Sequence, residues 1–307
     1  MIQDRFDNYD KKHCWQYDIR INNLQSDLRE ANMTIEEAQV LRISDFVFCI
    51  AETRQEQLLV RNFIEKHEWL GKACGFSQYY FTAYYKHILV GVIVMGTPNA
   101  FNLLLGEENR DLEILINRGA CISWSPKNLA SSLMSFALNW MVKNTKHRLF
   151  TAYSDVTAKE LGTIYQACNF YYLGNTFGAS KKYIQPYNKQ PVSDRWFRTR
   201  CAYKNYAKDL GIAWDDNWLG KGRKVVWDRV PNDIERQLRD YSKKKQSEAS
   251  FIEIPSKHKY AYVLGNDKKE TKKLRKLFEE RNKIYPYPKE MALPIVHNGR
   301  CYEQWPT

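Results

Sequence analysis

Arg118, Asp155 and, ten residues further on, Tyr165 are the side chains here with the types and spacing to do chemistry. Arg118 follows the short apolar run Leu112–Ile116. Its planar fork suits an anionic or carbonyl oxygen better than lysine would, unless it serves as a structural partner of Glu113 or Asp155. Asp155 follows a second run, Leu149–Tyr153, and α/β sheets place ligands and catalytic groups at such strand ends. There it accepts a proton from an amine, binds a metal, or joins Ser154 in capping the next helix. Ser131 lies on the helix between the two runs and could face the same cleft. His67 ends a helical stretch, where an imidazole also meets the negative end of the helix dipole.

The elements that must position these residues follow in the order strand, helix, strand, helix, strand. The first helix opens at Ser125-Pro126, a hydroxyl cap followed by a proline that needs no N–H partner. It buries Leu129, Leu133, Phe136, Ala137, Trp140 and Met141 at three- and four-residue spacing. The second runs from about Ala158 to Cys168 into an aromatic strand, Phe170–Leu173, closed by Gly174. Upstream, Thr34 and Glu37 form a capping-box pattern, residues 45–50 read as a strand, and Glu56 to His67 as a helix. Tyr79–Tyr85 and Ile88–Met95 flank Lys86-His87 as a hairpin.

Charge is distributed unevenly along the 307 residues. Residues 1–180 hold 18 Lys and Arg against 19 Asp and Glu, and residues 181–307 hold 29 against 16. The whole excess therefore falls in the second part, as expected for a basic region that meets a polyanion. Within it, Ser193 to Leu210 reads as one helix carrying Arg195, Arg198, Arg200, Lys204 and Lys208 among Trp196, Phe197, Tyr203 and Tyr206. Cations mixed with rings suit phosphate contact and base stacking; an amphipathic helix with its rings in the core has the same composition. A charged helix over Pro231–Lys245, a strand over Ser256–Gly265 and a Lys-rich helix over Asp267–Lys283 follow, before an irregular end. Seven cysteines without a CxxC pattern fit reduced thiols. With no long apolar run and no signal segment, the expectation is a soluble, cytoplasmic chain.

The end of the second helix, GTIYQACNF running into YYLG, resembles the close of a GNAT-type acyltransferase core, with Asn169-Phe170 where that pattern prefers Gly-Phe. The arginine after a strand, the SPKN helix start, the AYSD strand end and GTIYQACNF, in this order over roughly residues 58–178, resemble more narrowly the Mom family of bacteriophage DNA-modification proteins. That resemblance carries Arg118, Ser131, Asp155 and Tyr165 over as active-site residues, with Tyr165 protonating a departing thiolate and His67 edging the cleft. A thioester donor's pyrophosphate would rest on a helix start. The usual Gly-rich loop is absent, and Ser125, Lys127 and Asn128 stand in its place.

The resulting expectation is an α/β fold with a GNAT-like mixed central sheet flanked by helices and a basic, mostly helical C-terminal region. Residues 1–32 form an arm, 33–180 the catalytic domain and 181–307 the nucleic-acid-binding region. The resemblance implies modification of the exocyclic N6 amine of adenine in double-stranded DNA, a carbamoylmethylation that shields phage DNA from host restriction enzymes in the bacterial cytoplasm. The base must leave the stack to reach such a cleft. Acetyl-coenzyme A or a related acyl donor is the implied cofactor. Because carbamoylmethylation joins nitrogen to a methylene, a further cofactor, with iron as the candidate, enters as well. No membrane partner is expected, and a homodimer is left open. The rivals are an acetyl-coenzyme A-dependent N-acetyltransferase acting on a protein or small amine, and a non-catalytic DNA-binding protein on a GNAT fold. HExxH, P-loop, GxSxG and zinc-deaminase patterns are missing.

Overall fold

The computed structural model describes residues 14–72, 77–175, 180–189, 191–254, 257–289, 295–297 and 300–302; the first thirteen residues of the expected arm lie outside these. The chain opens with α1 (Trp15–Glu30) and α2 (Ile35–Val40), the second started by the Thr34–Glu37 capping box. Then come β1 (Phe46–Ile50), α3 (Arg54–His67), β2 (Ser77–Tyr85), β3 (Ile88–Gly96) and β4 (Glu113–Cys121). After these follow α4 (Leu129–Asn144), β5 (Leu149–Ser154), α5 (Thr163–Ala167) and β6 (Tyr171–Asn175). The main sheet has seven strands in the order β1-β2-β3-β4-β5-β10-β6, where β10 is His258–Val263. Among the described residues only β4 and β5 pair in parallel. This is the mixed, helix-flanked sheet that the acyltransferase resemblance implied.

Helices cover both faces, which is why β3 reads as an unbroken apolar run. Adjacent residues of β2 show the two sides: the Tyr80 hydroxyl lies 3.4 Å from Arg61 of α3, while the Phe81 ring meets Phe136 and Trp140 of α4. α3 is capped by Thr53 and Glu56 and buries Val60, Phe63 and Ile64. Each of those side chains contributes about 1.5–3 kcal/mol on burial against about 1 kcal/mol for a cap, so packing places the helix and the cap sets where it starts. Lys86-His87 is the two-residue turn of the β2–β3 hairpin, with Lys86 at φ 52°.

The feature that matters most for the site is a wedge. β4 and β5 pair only at Glu113↔Leu149, Ile114↔Phe150 and Leu115↔Thr151, and then part. The closed end is held by the buried Glu113 carboxylate, which accepts from the Asn102 backbone N–H (2.8 Å), Asn102 Nδ2 (2.6 Å) and Thr151 Oγ1 (3.0 Å). Beyond it a bulge interrupts the pairing of β3 with β4, leaving Asn117 as the extra residue between Ile116 and Arg118.

Several expected boundaries move. The α4 helix begins at Leu129, not at Ser125-Pro126, because Ser125 is buried and its Oγ accepts from Arg20 at 3.1 Å. The helix expected over Ala158–Cys168 is a 3-10 turn, Val156–Ala158, followed by the short α5. Gly162 separates them at φ 66°, and a Cβ there would strike the Tyr260 ring. Gly162→Ala is therefore expected to lower stability by about 1–3 kcal/mol, read as a lower urea midpoint; an unchanged midpoint would mean that α5 does not depend on this turn.

The domain division differs most. Residues 257–289 do not belong to a C-terminal appendage: β10 pairs with β5 from His258↔Ser154 to Val263↔Leu149 and with β6 on its other side. The stretch between β6 and β10 forms a second compact unit inserted into the first. Its three-stranded sheet joins β7 (Ser180–Ile184), β8 (Pro191–Val192) and β9 (Phe251–Ile254). A 3-10 helix (Asp194–Arg198), α6 (Arg200–Asp209) and α7 (Asn232–Glu248) surround a core of Tyr203, Tyr206, Trp218, Val230 and Leu238. The single helix expected over Ser193–Leu210 breaks at Thr199, whose side chain caps α6. In the first unit, α8 (Lys268–Arg281) follows β10. Short strands β11 (Ile295–His297) and β12 (Arg300–Tyr302) pair where an irregular end was expected. α1 is no loose arm either, since Leu24 and Leu28 sit in the main core.

Candidate active site

The open end of the wedge gathers charged side chains from four stretches of the first unit. Arg118, just past the bulge of β4, donates from Nε to the Lys72 carbonyl (3.1 Å) and from one terminal nitrogen to the Asn117 carbonyl (2.8 Å). Its Nε also lies 3.8 Å from Glu68, the first residue after α3. Of the alternative partners weighed for Arg118, Glu113 anchors the closed end and Asp155 meets the Lys257 ammonium at 3.0 Å. The Asp155 backbone N–H donates to Glu160 at 3.2 Å, so the loop after β5 folds its own carboxylate back toward the strand end. The Trp69 side chain also donates to Glu160.

Three carboxylates, Glu68, Asp155 and Glu160, thus face two cations, Arg118 and Lys257. Burial pushes the Glu68 carboxyl up to about 7; Arg118 opposes this and the negative charge of Glu160 adds to it. Burial also raises Glu160, assisted by Asp155. Its own burial, with one negative charge more in the cluster than the two cations balance, leaves Glu68 shared between protonated and ionised forms near neutrality. Tyr165 packs on Phe170 and Tyr260, each ring centroid 5.3 Å away. Burial raises its phenol, and the charges of Glu160 and Glu68 raise it further, so it holds its proton at any working pH. Two buried polar atoms here have no hydrogen-bond partner among the described residues: Asn117 Nδ2 at the bulge and Glu68 Oε2. Groups left in this way are costly in a finished core, and Oε2 is the Glu68 atom that faces Arg118 Nε at 3.8 Å.

Of the residues singled out in the sequence, Arg118, Asp155 and Tyr165 meet in this cluster. The structure sets His67 elsewhere. It is buried against Phe63 and sits 3.6 Å from Asp27, with Asp27 itself fully buried. Burial lowers the imidazole to about 4 in spite of that carboxylate, so the ring is neutral and the contact is polar packing rather than an ion pair. Ser131 Oγ donates to the Asn128 carbonyl at 3.0 Å and lines a groove of about 240 Å³ with Ser135, Asn139, Cys168, Tyr262 and Leu264. The groove runs between α4 and α5 over β10. Lys127 and Asn128 are exposed at the start of α4, and Asn128 caps that helix without a side-chain bond. Ser125 is taken up by Arg20.

Glu68, Glu160 and Asn117 were missed by sequence reasoning. Glu68 carried a faint signal, standing beside His67 in EKHEWLG; nothing local marked the other two. In the inserted unit, Arg195, Arg198, Lys204 and Lys208 are exposed and Arg200 is half-buried, while Phe197, Tyr203 and Tyr206 face the unit's own core. Arg198 pairs with Asp194 at 2.6 Å and Lys204 with Asp216 at 3.6 Å. The amphipathic arrangement is the one adopted there. Among the described residues no three His, Cys, Asp or Glu side chains converge on a point, and Asp155 is turned to a lysine, so the donor set does not fit an iron ion. Cys49, Cys121, Cys168 and Cys201 are free thiols, and burial pushes Cys121 and Cys168 up to about 11. No helix of the described residues is long and apolar enough to cross a membrane.

A family model described as the Mom protein family matches residues 48–289, from β1 through the inserted unit to the segment after α8. No curated protein matches the sequence. Among solved structures, the chain is similar to the ribosomal-protein-S5-alanine acetyltransferase of Vibrio fischeri, at 10% identity over 50% of this chain and 91% of that one, with a TM-score of 0.33. It is also similar to a Bacillus subtilis acetyltransferase in complex with CoA, at 10% identity, 71% and 99% coverage and a TM-score of 0.30. A GNAT family acetyltransferase from Elizabethkingia anophelis with acetyl-CoA bound gives 9%, 72%, 99% and 0.32.

Proposed function

The chain belongs to the Mom protein family, and from that premise we propose that it is a transferase that modifies the exocyclic N6 amine of adenine in double-stranded DNA. The observation that carries the reading is the wedge: β4 and β5 part after Leu115 and Thr151, and Glu68, Arg118, Asp155, Glu160 and Tyr165 surround the opening.

An aromatic amine is a weak nucleophile until a base takes its proton as the new bond forms. Glu68 is the group suited to that, being buried, close to half-ionised at neutral pH and without a hydrogen-bond partner at Oε2 among the described residues. Arg118 keeps it oriented. Tyr165 carries the proton that a departing thiolate needs. Asp155, fixed by Lys257 and by its place at the end of β5, positions the loop that brings Glu160 in.

The groove along α4, lined by polar residues such as Ser131, Ser135 and Asn139 and by Leu138, Tyr262 and Leu264, is assigned to part of the arm of an acyl-coenzyme A, with the exposed Lys127 and Asn128 at the start of that helix as candidate partners for its phosphates. When bound, that donor would supply an activated carbon to the wedge. Attack of the N6 nitrogen on such a thioester, with its proton passing to Glu68 and the thiolate leaving with the proton of Tyr165, gives an N6-acyl adenine. The carbamoylmethyl adenine that the family resemblance implies, joined through a methylene, would need a different activated donor. Either mark would protect phage DNA from restriction in the bacterial cytoplasm. The exposed cations of the inserted unit, Arg195, Arg198, Lys204 and Lys208 with the half-buried Arg200, are assigned to DNA phosphates, supported by the 17 basic against 10 acidic residues between 177 and 256.

Nucleoside mass spectrometry of DNA from cells expressing the wild type and Asp155→Ala tests the reading. A new adenine-derived mass is expected with the wild type and at most a trace of it with the variant. An unchanged nucleoside profile from soluble, folded wild-type protein would overturn it in favour of an acetyltransferase or a non-catalytic DNA binder.

A further inference from the structure

α8 has two sides of different character. Leu274 and Phe278 are buried, with the Phe278 ring stacked on Tyr171 at 4.9 Å. The other side presents Lys268, Lys269, Lys272, Lys273 and Lys276, all exposed. Lys276 lies 3.9 Å from Glu280, and the other four are paired with no carboxylate of the described residues. Glu270, the carboxylate of the first turn, is turned inward to Arg148 at 3.2 Å and to the Asn266 N–H at 2.5 Å. α7 shows the contrast: its charges pair along the helix, Glu235 with Arg239 at 2.6 Å, Asp240 with Lys243 at 3.3 Å and Lys244 with Glu248 at 3.9 Å.

A face kept only for solvation mixes its signs as α7 does. The lysines of α8 instead repel one another, and the first of them sit at the positive end of the helix dipole. An arrangement that weakens the free helix in both ways is suited to a polyanion. The face also continues beyond the helix. The Lys283 ammonium lies 4.9 Å from the Tyr285 ring centre, and Tyr285 and Tyr287 keep 40% and 37% of their surface exposed. This segment is pinned to β6, since the Tyr285 N–H donates to the Tyr172 carbonyl at 2.9 Å and the Tyr287 hydroxyl to the Phe170 carbonyl at 2.6 Å. β6 in turn pairs with β10, whose first residue His258 follows Lys257, the partner of Asp155.

We infer that α8 and the Lys283–Tyr287 segment form a second binding surface for the phosphate backbone of duplex DNA, carried by the catalytic unit itself and leading to its site. The inference rests on the reading of DNA as substrate. Lys268 to Lys276 spans about 12 Å of helix, which faces roughly three to four phosphates of one strand.

The test uses the full chain and a labelled duplex, with binding followed over a range of salt concentrations. In the variant with Lys268→Gln, Lys269→Gln, Lys272→Gln and Lys273→Gln, affinity at low salt should fall at least about tenfold. The slope of log affinity against log salt should become shallower by about 2–4, near 0.9 for each phosphate that the variant no longer neutralises. Thermal melting of the variant should match or exceed the wild type, because only exposed, mutually repelling charges are removed. An unchanged slope and affinity would overturn the surface, and four-lysine-dependent binding that prefers single-stranded RNA would reassign it. The two readings also fail separately. A modified nucleoside made equally well by the variant that has kept its DNA affinity sinks only the surface, whereas lysine-dependent duplex binding with no modified nucleoside sinks only the reaction.

Discussion

Glu68→Gln should lower the rate of DNA modification by about 10²–10⁴-fold without unfolding the protein. The glutamine keeps the shape of the buried side chain and loses the ability to take a proton. The measurement is the yield of modified nucleoside over time from purified protein and duplex DNA, with a deproteinised cell extract supplying the donor. The wild-type rate should rise with pH through about 7, where Glu68 ionises, and the residual rate of the variant should lack that rise. A variant as active as the wild type, with the same pH profile, would remove Glu68 from the mechanism.

Stability offers a second reading of the same substitution. Burial holds the Glu68 carboxyl at about 7 against an ordinary value of 4.5. Between those two values the folded chain binds more protons than the unfolded one, so this residue makes the wild type less stable as pH rises across that window. Above pH 7 the cost of its buried charge is fully present. Glu68→Gln should therefore melt no lower than the wild type at pH 8, and any advantage should shrink as the pH is lowered toward 4.5. A catalytic defect together with an undiminished melting temperature separates a base from a structural carboxylate.

Asp27→Ala should do the opposite, leaving the site's chemistry in place and removing about 3–5 kcal/mol of stability. Asp27 is fully buried, accepts from the Ser123 hydroxyl at 2.7 Å and backbone N–H at 3.3 Å, and meets the Lys66 ammonium at 3.0 Å. Its removal strands the Ser123 donors and takes a partner from Lys66 and His67. Asp27→Asn keeps an acceptor for Ser123 and should lose less. Urea midpoints of the two variants decide the matter, and a cost below about 1 kcal/mol for alanine would show that this network does not fasten α1 to the loop before α4. Arg20 works beside it, donating to the Ser123 carbonyl at 3.0 Å and to Ser125 Oγ at 3.1 Å.

Much of the catalytic unit was legible before any coordinates. The β2–β3 hairpin follows from two β-rich runs around Lys86-His87, the buried face of α4 from its apolar period, and the strand end of Asp155 from the run before it. Each of these is a local matter of spacing, capping or turn chemistry, and the sequence by itself determined them. Arg118, expected after a strand, instead lies inside β4, because pairing with β3 resumes beyond the bulge. The misplaced start of α4 shows the limit of that kind of reasoning. Ser125-Pro126 has the chemistry of a helix cap, but a half-buried guanidinium 105 residues earlier claims the hydroxyl, and a cap signal contains nothing about so distant a partner.

Only the tertiary structure decided the rest, for the same reason. Whether β10 closes the main sheet or belongs to the basic region depends on which unpaired strand edges are near it, and a whole inserted unit separates it from β5 and β6 along the chain. The side chain that reaches the site from EKHEWLG depends on a choice between neighbours. His67 fits the inward position against Phe63 and Asp27, which leaves Glu68 turned toward Arg118. Residue types and spacing identified the ends of the strands that could hold a reaction. Burial, together with contacts between distant segments, selected the carboxylates that face it and set how readily they give up a proton.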